Sequence, residues 1–165
     1  MANVMRDIKI EKVVLGVGGT EDALEKGAKL LNLITGREPS RMESRKRIPS
    51  LSVRPGLKVG AIVTVRRDTE ALLRRMLAAV DNRLRRKQMS ENTFSFGIKE
   101  YIEIPGMEYQ RDLGILGLDV TITFKRAGKR VGLRRMKASR IPKKQRISKE
   151  EIIKYMEEKF QTKFR

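Results

Sequence analysis

Three glycines, Gly16, Gly18 and Gly19, stand between a predicted strand and a predicted helix. Backbone amides at such a turn can bind a phosphate at the helix N-terminus. However, the sequence has no Walker motif, and it shows no clear third glycine or distal acid of a dinucleotide-binding fingerprint. A plain turn that requires small residues is therefore favoured over a nucleotide-binding loop. A variant of the plain interpretation is a turn that approaches an RNA backbone.

The residue types that most often carry out catalysis are missing from the sequence. The chain contains no His and no Cys. Their absence excludes a Ser-His-Asp triad, a histidine metal site, a cysteine-ligated zinc site and a thiol nucleophile. We therefore predict a protein that is not an enzyme and that uses no cofactor and no metal.

Positive charge is the dominant chemical feature of the chain. Its 165 residues include 38 Lys and Arg against 20 Asp and Glu, which gives a formal net charge of +18. Such a field attracts polyanions, and nucleic acid is the commonest large polyanion. No apolar run approaches the roughly 18 residues of a membrane span. We therefore expect a soluble chain of the cytosolic type without a membrane partner.

Two segments concentrate this charge. Residues 37–67 hold nine Lys and Arg with three prolines, and phosphate contact is favoured over a solvated loop because long loops in compact domains are often functional. Residues 125–146 hold eleven Lys and Arg and no acid. Because like charges repel, this second segment is expected to be disordered by itself or to fold against RNA. Composition does not distinguish RNA from DNA.

Two tyrosines, Tyr101 and Tyr109, could stack on nucleic-acid bases. Stacking platforms usually come in clusters, and aromatic residues make up only 5% of this chain. A core tyrosine or a hydrogen-bonded surface tyrosine is therefore the favoured interpretation of both.

The apolar periodicities predict the elements that must position these cations. The predicted strands are 8–15, 59–66, 93–104 and 118–125, and the predicted helices are 21–35, 69–86 and one that begins at Ser148. They predict an α+β fold: a single domain with a mostly antiparallel β-sheet, helices packed on one face, basic loops and a C-terminal helix. We divide it into an α+β RNA-binding core at 1–125 and, packed on the same domain, a basic extension with the C-terminal helix at 126–165.

Local signals predict where the helices begin and end. Thr20 and Asp68 occupy N-cap positions, and Gly36 supplies a C-terminal stop for the first helix. Ser148 and Glu151 have the spacing of a capping box.

Five runs of sequence closely resemble the universal large-subunit ribosomal protein family "L five". The runs are KIEKVVLGVG (9–18), LITGREPS (33–40), VRPGLKVGAIVTVRRD (53–68), FSFGIKEYIEIPGMEY (94–109) and GILGLDVTITFKRAG (114–128). The tail from Arg134 through SKEEIIKYMEEKF (148–160) is similar to the archaeal and eukaryotic branch. The resemblance covers nearly the whole chain in the right order, and the FGIKE…IPG and VTVRRD elements are specific to it.

The resemblance implies a structural component of the large ribosomal subunit, bound to the ribosome in the cytoplasm. Members of this family bind 5S rRNA in the central protuberance, contact P-site tRNA and bridge to a small-subunit ribosomal protein. A further RNA partner implied here is 23S rRNA, and the chain is expected to be a monomer within the ribosome.

The resemblance also implies site residues, by position in this sequence. It places Gly16, Arg37 and Thr64 on a sheet face that binds 5S rRNA. Family members often have Asn or His in place of Gly16, so that side-chain contact is absent here or replaced by backbone approach. The arginines of the two basic segments complete the expected rRNA contacts: Arg41, Arg66, Arg126, Arg130, Arg134 and Arg135.

Two loops complete the implied sites. The loop around Ile48–Pro55 matches the family loop that reaches toward P-site tRNA, and its expected tRNA-facing residues are Ser50, Leu51, Ser52, Val53 and Arg54. Residues 106–116 match the loop that bridges the subunits, with Met107, Glu108, Tyr109, Arg111 and Asp112 as expected contacts. Two other functions stay open on the residues: a sequence-independent, chromatin-type DNA-binding protein, and an RNA-modifying enzyme or NTPase that uses the glycine turn.

Overall fold

One antiparallel sheet organises the part of the chain described by the computed structural model, residues 4–165. Six strands form it, in the spatial order β2-β3-β1-β7-β6-β5. They are β1 (Lys9–Gly18), β2 (Ser40–Glu43), β3 (Lys58–Val65), β5 (Met89–Ser90), β6 (Thr93–Ile98) and β7 (Leu118–Lys125). Two further short strands, β4 (Arg83–Leu84) and β8 (Lys163–Phe164), pair in parallel beside this sheet.

Period-2 alternation makes one side of the sheet apolar and buries it. On the central strand β1, Val13, Leu15 and Val17 are buried. Val13 lies opposite Val65 of β3 and Ile122 of β7, so buried residues continue across the strands. The predicted strands 59–66 and 118–125 correspond to β3 and β7, and alternation buries one side of each. Burial of each such side chain contributes about 1.5–3 kcal/mol.

The helices are α1 (Glu21–Thr35), α2 (Thr69–Ala78), the short α3 (Arg130–Leu133) and α4 (Lys149–Phe160). Helix α1 packs closely on β1 because Gly27 faces Val17, where a Cβ would lie 2.7 Å from Val17 Cγ1. Gly36 ends this helix in the left-handed conformation, as predicted, and its amide donates to the carbonyl of Asn32 at 2.7 Å. Thr20 and Asp68 occupy the predicted N-cap positions, although neither side chain caps its helix.

The C-terminal helix belongs to the same core as the sheet. The predicted capping box is confirmed, since the Glu151 amide donates to Ser148 Oγ and the Ser148 amide donates to the Glu151 carboxylate. Ile152, Met156 and Phe160 are buried in the cluster that also holds the apolar side of the sheet. The predicted α+β single domain is therefore confirmed, whereas its division at residue 125 stays a prediction.

The second helix is shorter than predicted. It ends at Ala78 and not at residue 86, because Asp81 and Asn82 both adopt the left-handed conformation (φ 52° and 54°). The amide of Asn82 donates back to the carbonyl of Leu77 and closes the turn. Leu84 is then buried from the short strand β4 and not from a helix.

The predicted strand 93–104 ends early, at Ile98. A 3₁₀ turn follows at Tyr101–Glu103, and it buries Tyr101 and Ile104, which are three residues apart as this turn requires. Ile102, which would be buried if the alternation of β6 continued, is 38% exposed. The apolar residues at 98, 102 and 104 fit the period of 2 of a strand, whereas those at 101 and 104 fit the period of 3 of a 3₁₀ turn. Over so short a run the sequence does not distinguish the two.

Two details of the glycine and loop regions also differ from the sequence predictions. Gly16 and Gly18 lie within β1 and are not part of a turn, which leaves Gly19 and Thr20 as the connection to α1. Residues 40–43, which are absent from the predicted strands, form the edge strand β2, whose residues are all exposed. Residues 106–117 form a loop, as predicted. Across residues 4–165, helix length and apolarity stay below what crossing a membrane requires.

Candidate nucleic-acid interface

On the side of the sheet away from the apolar core, the residues of β1, β3, β6 and β7 are half-buried or exposed, and we call this side the open face. Strand register places its residues in rows across neighbouring strands. One row contains Ser40, Ile62, Gly16, Asp119 and Gly97, and the next contains Thr64, Val14, Thr121 and Ser95. Hydroxyls and glycines dominate these rows, so the surface is flat and presents short hydrogen-bonding groups.

Two of the expected rRNA contacts, Gly16 and Thr64, lie on this face, and Arg37 contacts the backbone of β3. Thr64 lies opposite Val14, one row from Gly16. The Arg37 guanidinium reaches the same strand and donates from Nη1 to the Thr64 carbonyl at 3.4 Å. A Cβ on Gly16 would meet Ile62 Cγ1 at 3.9 Å, an ordinary contact. Packing therefore does not require glycine at this position, and its effect is to expose the backbone.

Arg41 and Arg66 lie apart from that group. Arg41 is opposite Ala61, an inward-facing residue, so its side chain lies on the helix side of the edge strand. There it lines a cavity together with Glu25 and Lys29 of α1. Arg66 is exposed directly after β3. Arg37 thus reaches the backbone of β3 beside a cavity that residues of α1 and α2 line, and Arg41 lies on the helix side of the sheet.

Residues 125–146, which we call the basic segment, fold back on the domain through acids that lie outside it. The Lys129 ammonium pairs with Glu11 of β1, and the Arg146 guanidinium pairs with Glu91 at 3.0 Å. The side-chain amide of Gln145 donates to the carbonyl of Ala127 at 2.9 Å, and this hydrogen bond joins the end of the segment to its beginning. The sequence contains no acid within this segment, and the fold supplies the acids from neighbouring elements.

Arg126 is buried, and its guanidinium contacts other residues of the same chain. Its guanidinium donates to the carbonyls of Lys144 and Arg146 and pairs with Glu151 of α4 at 2.5 Å, and 9% of the residue is exposed. Arg126 was among the residues predicted to contact rRNA. In the structure these internal contacts leave it to hold the basic segment against α4.

Glu151 is the acidic partner in this contact. Partial burial raises the pKa of Glu151, but the Ser148 backbone hydrogen bond and the Arg126 guanidinium outweigh that effect. The pKa of this carboxyl therefore lies below its ordinary value of 4.5. The carboxylate stays charged at neutral pH and keeps Arg126 in place.

The remaining expected contacts of the basic segment are exposed. Arg130, Arg134 and Arg135 lie on α3 and directly after it. Arg134 Nε donates to the carbonyl of Lys137 at 2.8 Å, which fixes the direction of that side chain. These arginines are available for phosphate contacts, whereas Arg126 is not.

The loop at 48–55 is tied at its base. Ile48 and Val53 exchange backbone hydrogen bonds at 3.0 and 3.1 Å, and a 3₁₀ turn covers Pro49–Leu51. Leu51 at the tip is 67% exposed, and Ser50, Ser52 and Arg54 are exposed as well. Val53, which was expected to face outward with them, is buried and anchors the loop.

The loop at 107–112 is ordered around a buried tyrosine. The Tyr101 hydroxyl accepts a hydrogen bond from the Gln110 amide at 2.9 Å, so the core interpretation of Tyr101 is confirmed. Tyr109 is 56% exposed. Glu108, Arg111 and Asp112 are also exposed, whereas Met107 packs partly against the core.

A cation-rich α+β domain with an open sheet face has the character of a structural nucleic-acid-binding protein. Within residues 4–165 no group of three or more acids is placed to hold a metal ion. Comparison with known proteins gives the family. Residues 3–54 match the family model described as ribosomal protein L5, and residues 58–155 match the model that describes the C-terminus of the same ribosomal family.

Relatives agree over almost the full length. The chain is 41% identical to the large ribosomal subunit protein uL5 of Nanoarchaeum equitans over 162 residues, which covers 96% of each chain. It is 40% identical to the protein of the same name from Picrophilus torridus, covering 98% of this chain and 94% of the relative. The chain therefore belongs to the ribosomal protein L5 family, and the predicted resemblance is confirmed. It is a structural, rRNA-binding protein of the large ribosomal subunit.

Proposed function

We propose that this chain binds 5S rRNA in the central protuberance and positions it in the large subunit, without catalysis. The observation that supports this most is that Thr64 and Gly16 lie in neighbouring rows of the open face while the Arg37 guanidinium reaches the Thr64 backbone carbonyl. A guanidinium at the edge of a flat, hydroxyl-lined surface can bind a phosphate while the strands contact sugars and base edges. The exposed arginines of the basic segment add phosphate contacts beyond the sheet, and 23S rRNA is a further partner for them.

The two ordered loops extend this function to other ribosomal partners. The exposed tip Ser50–Ser52 is proposed to reach P-site tRNA, and residues 107–112 are proposed to contact a small-subunit ribosomal protein. Each loop projects exposed side chains and is tied to the fold by hydrogen bonds, at Ile48 and Val53 in the first and at Gln110 in the second. In this function the chain acts as a monomer bound to cytoplasmic ribosomes.

A filter-binding titration against 5S rRNA over a range of salt tests the main proposal. Replacement of both Arg37 and Arg66 by Ala should weaken binding by roughly tenfold or more and flatten its salt dependence, because fewer counterions are released. The matched control replaces Lys26 and Lys154, which are exposed on α1 and α4, by Ala. An unchanged salt slope in the Arg37→Ala, Arg66→Ala variant would show that these side chains do not contact the RNA.

The loop proposal has a separate test, because the loop lies in the connection between β2 and β3, outside both strands. Leu51→Ser should leave 5S rRNA binding of the isolated chain unchanged while it impairs tRNA-dependent steps in ribosomes assembled with the variant. A loss of 5S rRNA binding by Leu51→Ser would assign this loop to rRNA.

A further inference from the structure

A cavity of about 400 Å³ opens between the basic segment and the neighbouring residues Asn92 and Phe124. Phe124, Leu133 and Ile141 form its apolar lining, and Lys125 and Arg140 lie at the same cavity. Pockets for small organic ligands have volumes of roughly 300–1,000 Å³ and combine apolar walls with a few polar groups. This cavity therefore has the size and lining for one flat ring with a charged group attached.

The cations of this cavity are unequally compensated. Those on Arg126, Lys129 and Arg146 each pair with an acid of a neighbouring element. For Lys125 and Arg140, in contrast, no acidic partner lies within ion-pair distance among residues 4–165. Lys9 stands opposite Lys125 in the strand register and adds to the positive potential. An anion at the cavity would therefore be attracted to Lys125 and Arg140.

The walls are held in place by the chain's own contacts. Asn92 accepts a hydrogen bond from the Ile147 amide at 2.9 Å, and Gln145 donates to Ala127 at 2.9 Å. A Cβ on Gly132 would lie 3.0 Å from Ile141 Cδ1, so the glycine admits Ile141 as a wall. A pre-formed cavity of this kind avoids an ordering cost when a ligand enters.

We propose that this cavity binds a single unpaired nucleotide of the rRNA. The base lies against Leu133 and Ile141, and the phosphate lies at Lys125 and Arg140. Proteins commonly recognise RNA at loops and bulges whose unstacked bases can leave the helix, and a base that remains paired could not enter a cavity of this size. The identity of the RNA rests on the function proposed above, whereas the nucleotide site does not.

Titration of the full chain with adenosine 5′-monophosphate, followed by amide NMR, tests the site directly. Inorganic phosphate and adenosine are the other two arms. The monophosphate should shift the amides of Gly132, Ser139 and Ile141 and bind roughly tenfold more tightly than phosphate or adenosine, because it meets both halves of the cavity. Equal binding of phosphate, or no shift at these amides, overturns the proposal.

Matched variants assign the two halves of the cavity. Leu133→Ser removes the apolar wall, and Met136→Ser is its control, because both side chains are exposed (70% and 79%) in the same segment and Met136 lies outside the cavity lining. Arg140→Gln removes the phosphate partner, and Lys154→Gln of α4 is its control for charge. Leu133→Ser and Arg140→Gln should each weaken monophosphate binding by roughly tenfold, and the controls should leave it unchanged. Equal weakening by a variant and its control overturns the assignment.

The same samples separate this site from the proposed function. If the wild-type chain binds 5S rRNA but does not bind the monophosphate in the cavity, the nucleotide site is overturned and the proposed rRNA function stands. If the chain binds the monophosphate at Gly132, Ser139 and Ile141 but does not bind 5S rRNA, the nucleotide site is supported and the proposed rRNA function is overturned.

Discussion

The open face and the basic segment differ in the forces that each can exert on a nucleic acid. The open face presents hydroxyls and glycines, with Asp119 as an acid among them. The basic segment contains eleven Lys and Arg. Three of them form ion pairs with acids outside the segment, Glu11, Glu91 and Glu151, and these pairs hold it against the domain. Contacts of the first kind act at van der Waals and hydrogen-bonding distance. The fields of the second kind extend over about a Debye length, roughly 8 Å at physiological salt.

This difference separates the contacts that give binding affinity from the contacts that give specificity for one RNA. Phosphate neutralisation supplies binding energy that falls steeply with salt and is indifferent to sequence. A flat hydrogen-bonding surface supplies little long-range attraction and instead requires a partner of matching shape. We therefore expect the basic segment to set the strength of RNA binding and the open face to set which RNA is bound.

The largest expected effect comes from removal of charge in the basic segment. Arg130, Arg134 and Arg135 are exposed, and their joint replacement by Gln should weaken 5S rRNA binding roughly a hundredfold at low salt. The slope of log affinity against log salt is negative, and its magnitude should decrease by about 2 to 3, since each lost phosphate contact removes about 0.7–0.9. Filter binding measures both quantities.

The control for this triple variant removes the same charge elsewhere, by replacing Lys26, Lys154 and Lys163 with Gln. These lysines are exposed on α1, α4 and β8. An equal change of slope in the control would show that net charge, and not the position of the arginines, governs binding.

A smaller effect, of a different kind, is expected on the open face. Thr121 lies between Val14 and Ser95 near the middle of this surface. Thr121→Trp should weaken 5S rRNA binding by roughly tenfold, about 1.4 kcal/mol, because a bulky side chain separates two flat surfaces. The salt slope should stay unchanged, since no phosphate contact is removed. Leu33→Trp on the exposed side of α1 is the control, and a change of slope by Thr121→Trp would contradict the division.

The smallest expected effect is the contribution of Glu151 to stability. Because the pKa of Glu151 is lowered in the folded state, its charged form stabilises the fold above the ordinary carboxyl range. This contribution is lost as pH falls through the folded-state pKa. Wild type should therefore be more stable than Glu151→Gln at neutral pH, and the difference should disappear in acid.

Two measurements check the prediction for Glu151. Chemical denaturation of wild type and Glu151→Gln at a series of pH values gives the stability difference. Carboxyl NMR of Glu151 should show a midpoint that rises when Arg126 is replaced by Gln, because the guanidinium then no longer stabilises the charged form. An unchanged midpoint would mean that Arg126 does not hold this carboxylate.

Regular patterns in the sequence predicted the scaffold well. The alternation from Val59 and the capping box at Ser148 each correspond to an element in the structure, because a sheet face and a helix cap are determined by local chemistry. The end of α2 was not predictable in this way, since the left-handed conformation at Asp81 and Asn82 interrupts a pattern that stays apolar through Leu84. The edge strand β2 has no buried side to leave a pattern.

The site was predictable in composition and not in arrangement. A count of charges indicates that the basic segment meets a polyanion, but it cannot show which of its arginines faces inward. Arg126 differs from Arg130 in the structure because Glu151, 25 residues away, comes within 2.5 Å of it. The cavity beside Ile141 likewise depends on packing between α3 and residues 139–141. Such contacts between distant residues are a property of the fold and are not written in any local run of sequence.

We propose that the open face and the basic segment together bind 5S rRNA by shape as well as by charge. Competition between 5S rRNA and duplex DNA of equal length, at the same salt concentration and on the full chain, tests it most directly. Folded 5S rRNA should displace the DNA, and its preference should widen as salt rises and the phosphate contribution falls. Equal binding of the two nucleic acids at every salt concentration would contradict the claim and favour a sequence-independent DNA-binding protein.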